Sequence, residues 1–129
     1  MRYLIDTSSL SRAIRDDSLR LRRAVRDLGL EQIAVSVMTL VEIEYGLTRR
    51  KAARASAIRE FLAHFDALPF EPVDARAAGV LRSKMEADGR SIGLIDTFIA
   101  AQALVRNLTV VTHNVAEFSR VGGLRVIEL

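Results

Sequence analysis

The sequence predicts an α/β domain built on a parallel sheet, and three observations predict it. Short apolar runs of strand length alternate with stretches that carry apolar residues at helical spacing. The chain has 129 residues, 50% of them hydrophobic, enough for one core and too few for two, so residues 1–129 are expected to form a single domain. No repeat, linker or low-complexity segment interrupts the alternation.

Taken in order, RYLI (2–5) reads as a strand ended by the capping-type cluster Asp6-Thr7-Ser8-Ser9. LSRAIRDDSLRLRRAVRDLGL then shows helical spacing, with a break expected near Asp16-Asp17 and a stop at Gly29. QIAVS (32–36) is a second strand and MTLVEIEYG (38–46) a short helix ending at Gly46. Residues 49–66 place Ala52, Ala55, Ile58, Phe61, Leu62 and Phe65 on one face of an amphipathic helix, with Thr48 as its N-cap. LPFEPV is extended, because each proline steers the residue before it away from helix. Asp74 then caps a helix that reaches about Met85. ADGRSIG is a loop and 95–106 a helix apolar on most of its circumference. LTVVT (108–112) is a strand, NVAEF a helical turn and LRVIEL a closing strand.

Composition narrows the functions open to such a domain. Cysteine is absent, which removes disulfides, thiolate metal sites and cysteine nucleophiles together. No apolar run approaches the roughly 18 residues of a membrane span, and the run before Asp6 is too short for a signal peptide. A cytoplasmic protein without a membrane partner is expected. The net charge is +3, and because Lys51 and Lys84 are the only lysines, arginine supplies 17 of the 19 basic residues. The planar arginine fork pairs with phosphate or carboxylate, so a nucleic acid or an acidic protein is the expected partner. With aromatic residues at 5% and no tryptophan, a module that grips single strands mainly by base stacking is disfavoured. Arg49, Arg50, Lys51 and Arg54 cluster at the expected start of the 49–66 helix, where the macrodipole disfavours cations. Arg49 and Arg50 are therefore candidates for binding RNA or an acidic partner segment.

Parallel strands joined by right-handed crossovers bring their C-terminal ends to one edge, where ligand sites of such sheets lie. Asp6 follows the first strand directly, Glu42 lies just beyond the second, and Thr112, His113 and Asn114 follow the third clear strand. Asp96 stands at the head of the most apolar helix, where a lone buried carboxylate would cost several kcal/mol. Taken singly, Asp6 and Asp96 match N-caps, and Thr39 to Glu42 and Asn114 to Glu117 match capping boxes. Caps do not account for the shared edge. Two carboxylates about 4 Å apart repel by roughly 4 kcal/mol at an effective dielectric of 20, so converging acids call for a proton or a cation. With no lysine in any of these motifs, a divalent metal is the natural compensation. All-oxygen ligands select Mg²⁺ or Mn²⁺.

YLIDTSSL, SVMTLVEIEYGL, IGLIDTFIAAQAL and LTVVTHNVAEFSRVGGLRVIEL, in this order, resemble the PIN-domain ribonucleases, specifically the VapC-type toxins of toxin–antitoxin pairs. The resemblance implies a three-layer α/β/α domain with a central parallel sheet of about four to five strands. It also implies Mg²⁺- or Mn²⁺-dependent endoribonuclease activity, a homodimer and inhibition by a cognate antitoxin. Matched motif by motif, Asp6, Glu42 and Asp96 are its acidic residues, with Asp6 and Asp96 the direct metal ligands. Where many relatives carry a fourth acid after Thr112, this chain has Asn114, which carries no charge; Glu117 lies one turn further on. Thr112 and Asn114 complete the candidate catalytic set, and Thr7 and Ser8 are candidates for contacting phosphate. His64 and His113 lie in different motifs, and neither is assigned as a general base. A phosphoacceptor receiver domain would want paired acids after the first strand and a strand-end lysine, both absent here. The remaining alternative is a basic nucleic-acid-binding module whose acids are helix caps.

Overall fold

Alternation within very short strands decides the layers. Along β1 (Tyr3–Ile5), β2 (Ile33–Ser36) and β4 (Thr109–Val111), neighbouring side chains enter opposite cores. Ile5, Ile33, Val35 and Val111 join one core, while Leu4, Ala34 and Val110 join the other. Strands buried on both faces need helices on both faces. The structure, a computed structural model describing residues 1–15 and 19–129, supplies them. Helices α1 (Thr7–Arg15), α2 (Leu19–Leu28), α3 (Val37–Leu47) and α4 (Ala52–Leu62) contribute Leu10, Ile14, Val25, Ile43, Leu47, Ala55 and Ile58 to the first core. α5 (Pro72–Ala87), α6 (Leu94–Arg106) and α7 (Val115–Phe118) contribute Met85, Ile99, Ala100, Ala103 and Phe118 to the second. This is the expected three-layer arrangement.

With β3 (Asp66–Leu68) and β5 (Arg125–Ile127), the sheet has five strands, all parallel, in the order β3-β2-β1-β4-β5. The chain fills one side outward from β1, then returns to fill the other. β1 is therefore the point where the order reverses, and a crevice is expected beyond its C-terminal end. The register sets the level of that crevice: Ile5 stands opposite both Val35 and Val111, so Asp6, Ser36 and Thr112 leave the sheet side by side.

Several boundaries differ from the sequence reading. The break expected near Asp16 and Asp17 lies outside the described residues. The 49–66 helix ends at Leu62, and Asp66-Ala67-Leu68 form edge strand β3, with Phe65 still entering the first core. Thr48 is not an N-cap: it is the C-cap of α3, its hydroxyl donating to the Tyr45 carbonyl at 2.7 Å, and Lys51 caps α4. Arg49 and Arg50 thus follow the C-terminal end of a helix, where the macrodipole favours positive charge. Asp74 does not cap α5 from outside. It sits at the third helical position in a reciprocal capping box with Glu71, and Pro72 takes the first turn, where a missing N–H costs nothing. Gly29 does end α2, with φ at +90°, and Asn107 ends α6 in the left-handed region at φ 56°. No helix among the described residues is long and apolar enough to cross a membrane.

Candidate active site

Asp6 is the first residue beyond β1 and has no solvent exposure. Its Oδ1 accepts the Ser9 N–H at 2.9 Å, the bond an N-cap makes, so the capping role read from the sequence is real. Its Oδ2 accepts the Ser8 hydroxyl at 2.8 Å and the Thr112 hydroxyl at 2.6 Å. Thr112 in turn accepts the Asn114 N–H at 2.8 Å, which ties the loop after β4 to the loop after β1. Three donors fix the Asp6 carboxylate in one orientation and still leave a lone pair on Oδ1.

Glu42 arrives from α3. Ser36 is the N-cap of that helix, its Oγ accepting the Met38 N–H at 3.1 Å, so Thr39 and Glu42 lie inside the helix and form no capping box. Thr39 is buried; Thr7 Oγ1 lies 3.1 Å from Thr39 Oγ1 and donates to Glu42 Oε1 at 2.8 Å. Asp96 likewise is not an N-cap. Gly93 holds that position in α6, and Asp96 sits in the first turn. Thr7, Ser8, Glu42, Gly93, Leu94 and Asp96 line one cleft of about 440 Å³ at the C-terminal edge of the sheet.

The charge of this cleft is not balanced by any cation within it. Burial, then the charges of Asp6 and Glu117, a hydrogen bond with Glu117 and the charge of Glu42, push the Asp96 carboxyl up to about 7. Asp6 just beyond β1, Glu42 on α3 and Glu117 on α7 thus all act on Asp96 at a single edge. Glu117, which the sequence offers both as a capping-box partner of Asn114 and as an acid one turn on that could contribute charge at the site, takes the second part: the Asn114 side chain makes no cap bond and Glu117 turns to Asp96. Asn114 itself is exposed. Arg50 and Glu42 share the lining of a neighbouring cleft of about 220 Å³. Arg49 turns away to Tyr45, 5.2 Å from the ring centroid and 3.0 Å from its hydroxyl. The exposed His64 is not in the cleft.

Among the described residues, no three His, Asp or Glu side chains close into a ready-made metal cage. The donor set still fits a hard cation. It is all oxygen, one carboxylate is strained by its neighbours' charge, and Mg²⁺ characteristically takes one or two carboxylates and keeps waters in the rest of its shell.

The family model described as PIN domain matches residues 3–124. A protein of Shigella flexneri named tRNA(fMet)-specific endonuclease VapC is 30% identical over 127 residues, which is 97% of this chain and 96% of that one. The fold matches VapBC2 from Rickettsia felis bound to a DNA fragment from its promoter, with a TM-score of 0.90, 28% identity and coverage of 100% and 99%. It also matches DNA-bound VapBC from Salmonella typhimurium, with a TM-score of 0.91, 26% identity and coverage of 99% and 98%. Matched along nearly its whole length, with its acids gathered where the strand order reverses, the chain belongs to the PIN domain family, whose members depend on a divalent metal ion.

Proposed function

We propose that residues 1–129 act as one metal-dependent endoribonuclease domain, the toxin of a toxin–antitoxin pair. The observation that carries this reading is the convergence of Asp6, Glu42 and Glu117 on Asp96, in the wall of the cleft beyond β1 that Glu42 also lines. Relatives along nearly the whole chain are named endonuclease or ribonuclease, and a structural neighbour is described as a member of the VapBC family of toxin–antitoxin systems. The rival reading, a binding module whose acids are caps, accounts for Asp6 but not for Asp96 or Glu42, neither of which caps a helix.

Asp6 and Asp96 would hold the ion, Mg²⁺ or Mn²⁺, as all-oxygen donors select. Bound there, it supplies Lewis-acid charge to the scissile phosphate and acidifies water. Glu42, fixed by Thr7, orients and deprotonates the attacking water. Ser8 and Thr112 act as positioning residues that hold the Asp6 carboxylate, and Asn114 carries its backbone N–H to Thr112. Glu117 takes the place of the charge that Asn114 lacks. With water as nucleophile, hydrolysis leaves a 5′-phosphate and a 3′-hydroxyl. Arg50, beside Glu42, meets a backbone phosphate, with Arg49 further out on the same turn. The protein works in the cytoplasm as a homodimer, for which Val41 and Tyr45 on α3, 65% and 64% exposed, provide apolar surface beside the cleft. The test is cleavage of total cellular RNA by wild type and Asp96→Asn with EDTA, Mg²⁺ or Mn²⁺. Divalent-dependent cleavage by wild type alone supports the reading; cleavage in EDTA, or equal cleavage by both proteins, sinks it.

A further inference from the structure

Beside α1 lies a third cleft, of about 350 Å³, that the proposed chemistry does not use. Arg12, Arg20, His113 and Glu128 line it, together with apolar Ala24 and Leu129. Several arginines of this protein are held by partners within the fold. Arg59 and Arg82 pair with acids, Arg106 with Asp74, and Arg54, Arg120 and Arg125 with backbone carbonyls. Arg12 and Arg20, both exposed, have no such partner among the described residues, so two free guanidinium groups face one concavity against the single acid Glu128.

The cleft is also joined to the active site. Ser8, which holds Asp6 and lines the catalytic cleft, precedes Arg12 by four residues, one helical turn, or about 6 Å along the axis. Ser9, only 1% exposed, bonds both ways: its N–H reaches Asp6, and its Oγ lies 2.8 Å from His113 Nδ1. That contact fixes the imidazole by one nitrogen, and the ring forms part of the cleft wall. Thr112, the neighbour of His113, holds the Asp6 carboxylate from the other side.

We propose that Arg12, Arg20 and His113 form a phosphodiester subsite, which takes the RNA backbone one step beyond the bond at the acidic cleft. This deepens the nuclease reading and rests on it. An acidic cleft repels the polyanion it must cleave, and arginines beside it hold the strand by charge-assisted, bidentate bonds to flanking phosphates. Such contacts position the strand and carry no sequence preference.

The experiment measures binding of a labelled single-stranded RNA in EDTA, by anisotropy over a range of salt, for wild type, Arg12→Ser/Arg20→Ser and Arg12→Lys/Arg20→Lys. Cleavage of the same RNA with Mn²⁺ is followed alongside, and melting temperatures check that the exposed substitutions leave the fold intact. The serine variant should bind about tenfold more weakly, with the slope of log affinity on log salt lower by about 0.7 for each arginine removed. The lysine variant should recover the slope. In cleavage, KM should rise while kcat for saturating RNA stays near wild type. Wild-type affinity and slope in the serine variant, while wild type cleaves, would overturn the subsite and leave the nuclease reading standing. Loss of poly-glutamate binding without loss of RNA binding would also overturn it, marking the cleft as a seat for an acidic protein segment. Absence of cleavage by wild type under every ion would instead count against the nuclease reading, and the EDTA binding would then decide whether these arginines hold RNA.

Discussion

Asp96 sits in a strongly perturbed environment, and its titration has a definite sign. The carboxyl ionises at 3.8 in its ordinary setting and at about 7 in the folded, ion-free protein, so between those values the native state holds the extra proton. Stability of the ion-free protein should therefore fall as pH rises from about 4 to about 7, and Asp96→Asn should remove that slope in thermal melts taken across the range. Because the same proton competes with a cation, the Mn²⁺-induced rise in melting temperature should grow up to about pH 7 and then level off; a shift that ignores pH would contradict the assignment. Glu42 makes a different forecast. It caps nothing, and glutamine can still accept the Thr7 hydroxyl, so Glu42→Gln should leave the melting temperature within error while cleavage falls at least about tenfold. Three of the four converging acids were legible in the sequence because each follows a strand or opens a buried helix. Glu117 was legible only as an acid one turn beyond Asn114, since that spacing also satisfies a capping rule and periodicity cannot say which way a four-residue helix turns its acid.

At the scale of elements, α5 and α6 are clipped together by a buried ion pair. Asp74 has no solvent exposure and takes two bonds from the Arg106 guanidinium, one of them at 2.9 Å, and the Glu71 N–H at 2.8 Å. Burial alone would raise this carboxyl, but the Arg106 and Glu71 bonds outweigh it and hold it below the usual carboxylate range. Arg106→Met should destabilise the protein by roughly 2 kcal/mol in denaturant unfolding, less than the ~3–5 of a fully enclosed pair because Arg106 keeps a wet edge. At the end of α2, Gly29→Ala should cost about 1 kcal/mol, because φ is +90° there and an added Cβ would stand 2.7 Å from Glu31 Oε1. The main elements could be read from apolar period, since both cores select it. β3 could not: two of its three residues are exposed, and the apolar spacing of α4 runs on into Phe65. The caps at Ser36 and Glu71 were missed for a related reason. Thr39 and Asp74 are cap-type residues too, and a sequence does not rank neighbouring candidates.

For the whole molecule, the sheet order decides what ion binding does. A cation bridging residues after β1 and on α6 links the two halves of the sheet, so at one hundred times its Kd it should stabilise the fold by about 2.7 kcal/mol, read as a rise in melting temperature that Asp6→Asn or Asp96→Asn blunts. Equal shifts in all three proteins would remove both residues from the binding site. The same topology has a consequence in time. The bond from Thr112 to Asp6 spans 106 positions of the chain, and β1 cannot gain its second neighbour until β4 exists. At about 5–20 residues per second, a ribosome makes the Asp6 half of the site some 5–20 seconds before the Thr112 half. A nascent chain ending before β4 therefore lacks Thr112, which holds the Asp6 carboxylate, and Glu117, which faces Asp96. The site we propose is thus assembled across the sheet and stays unfinished until the chain has passed β4 and α7.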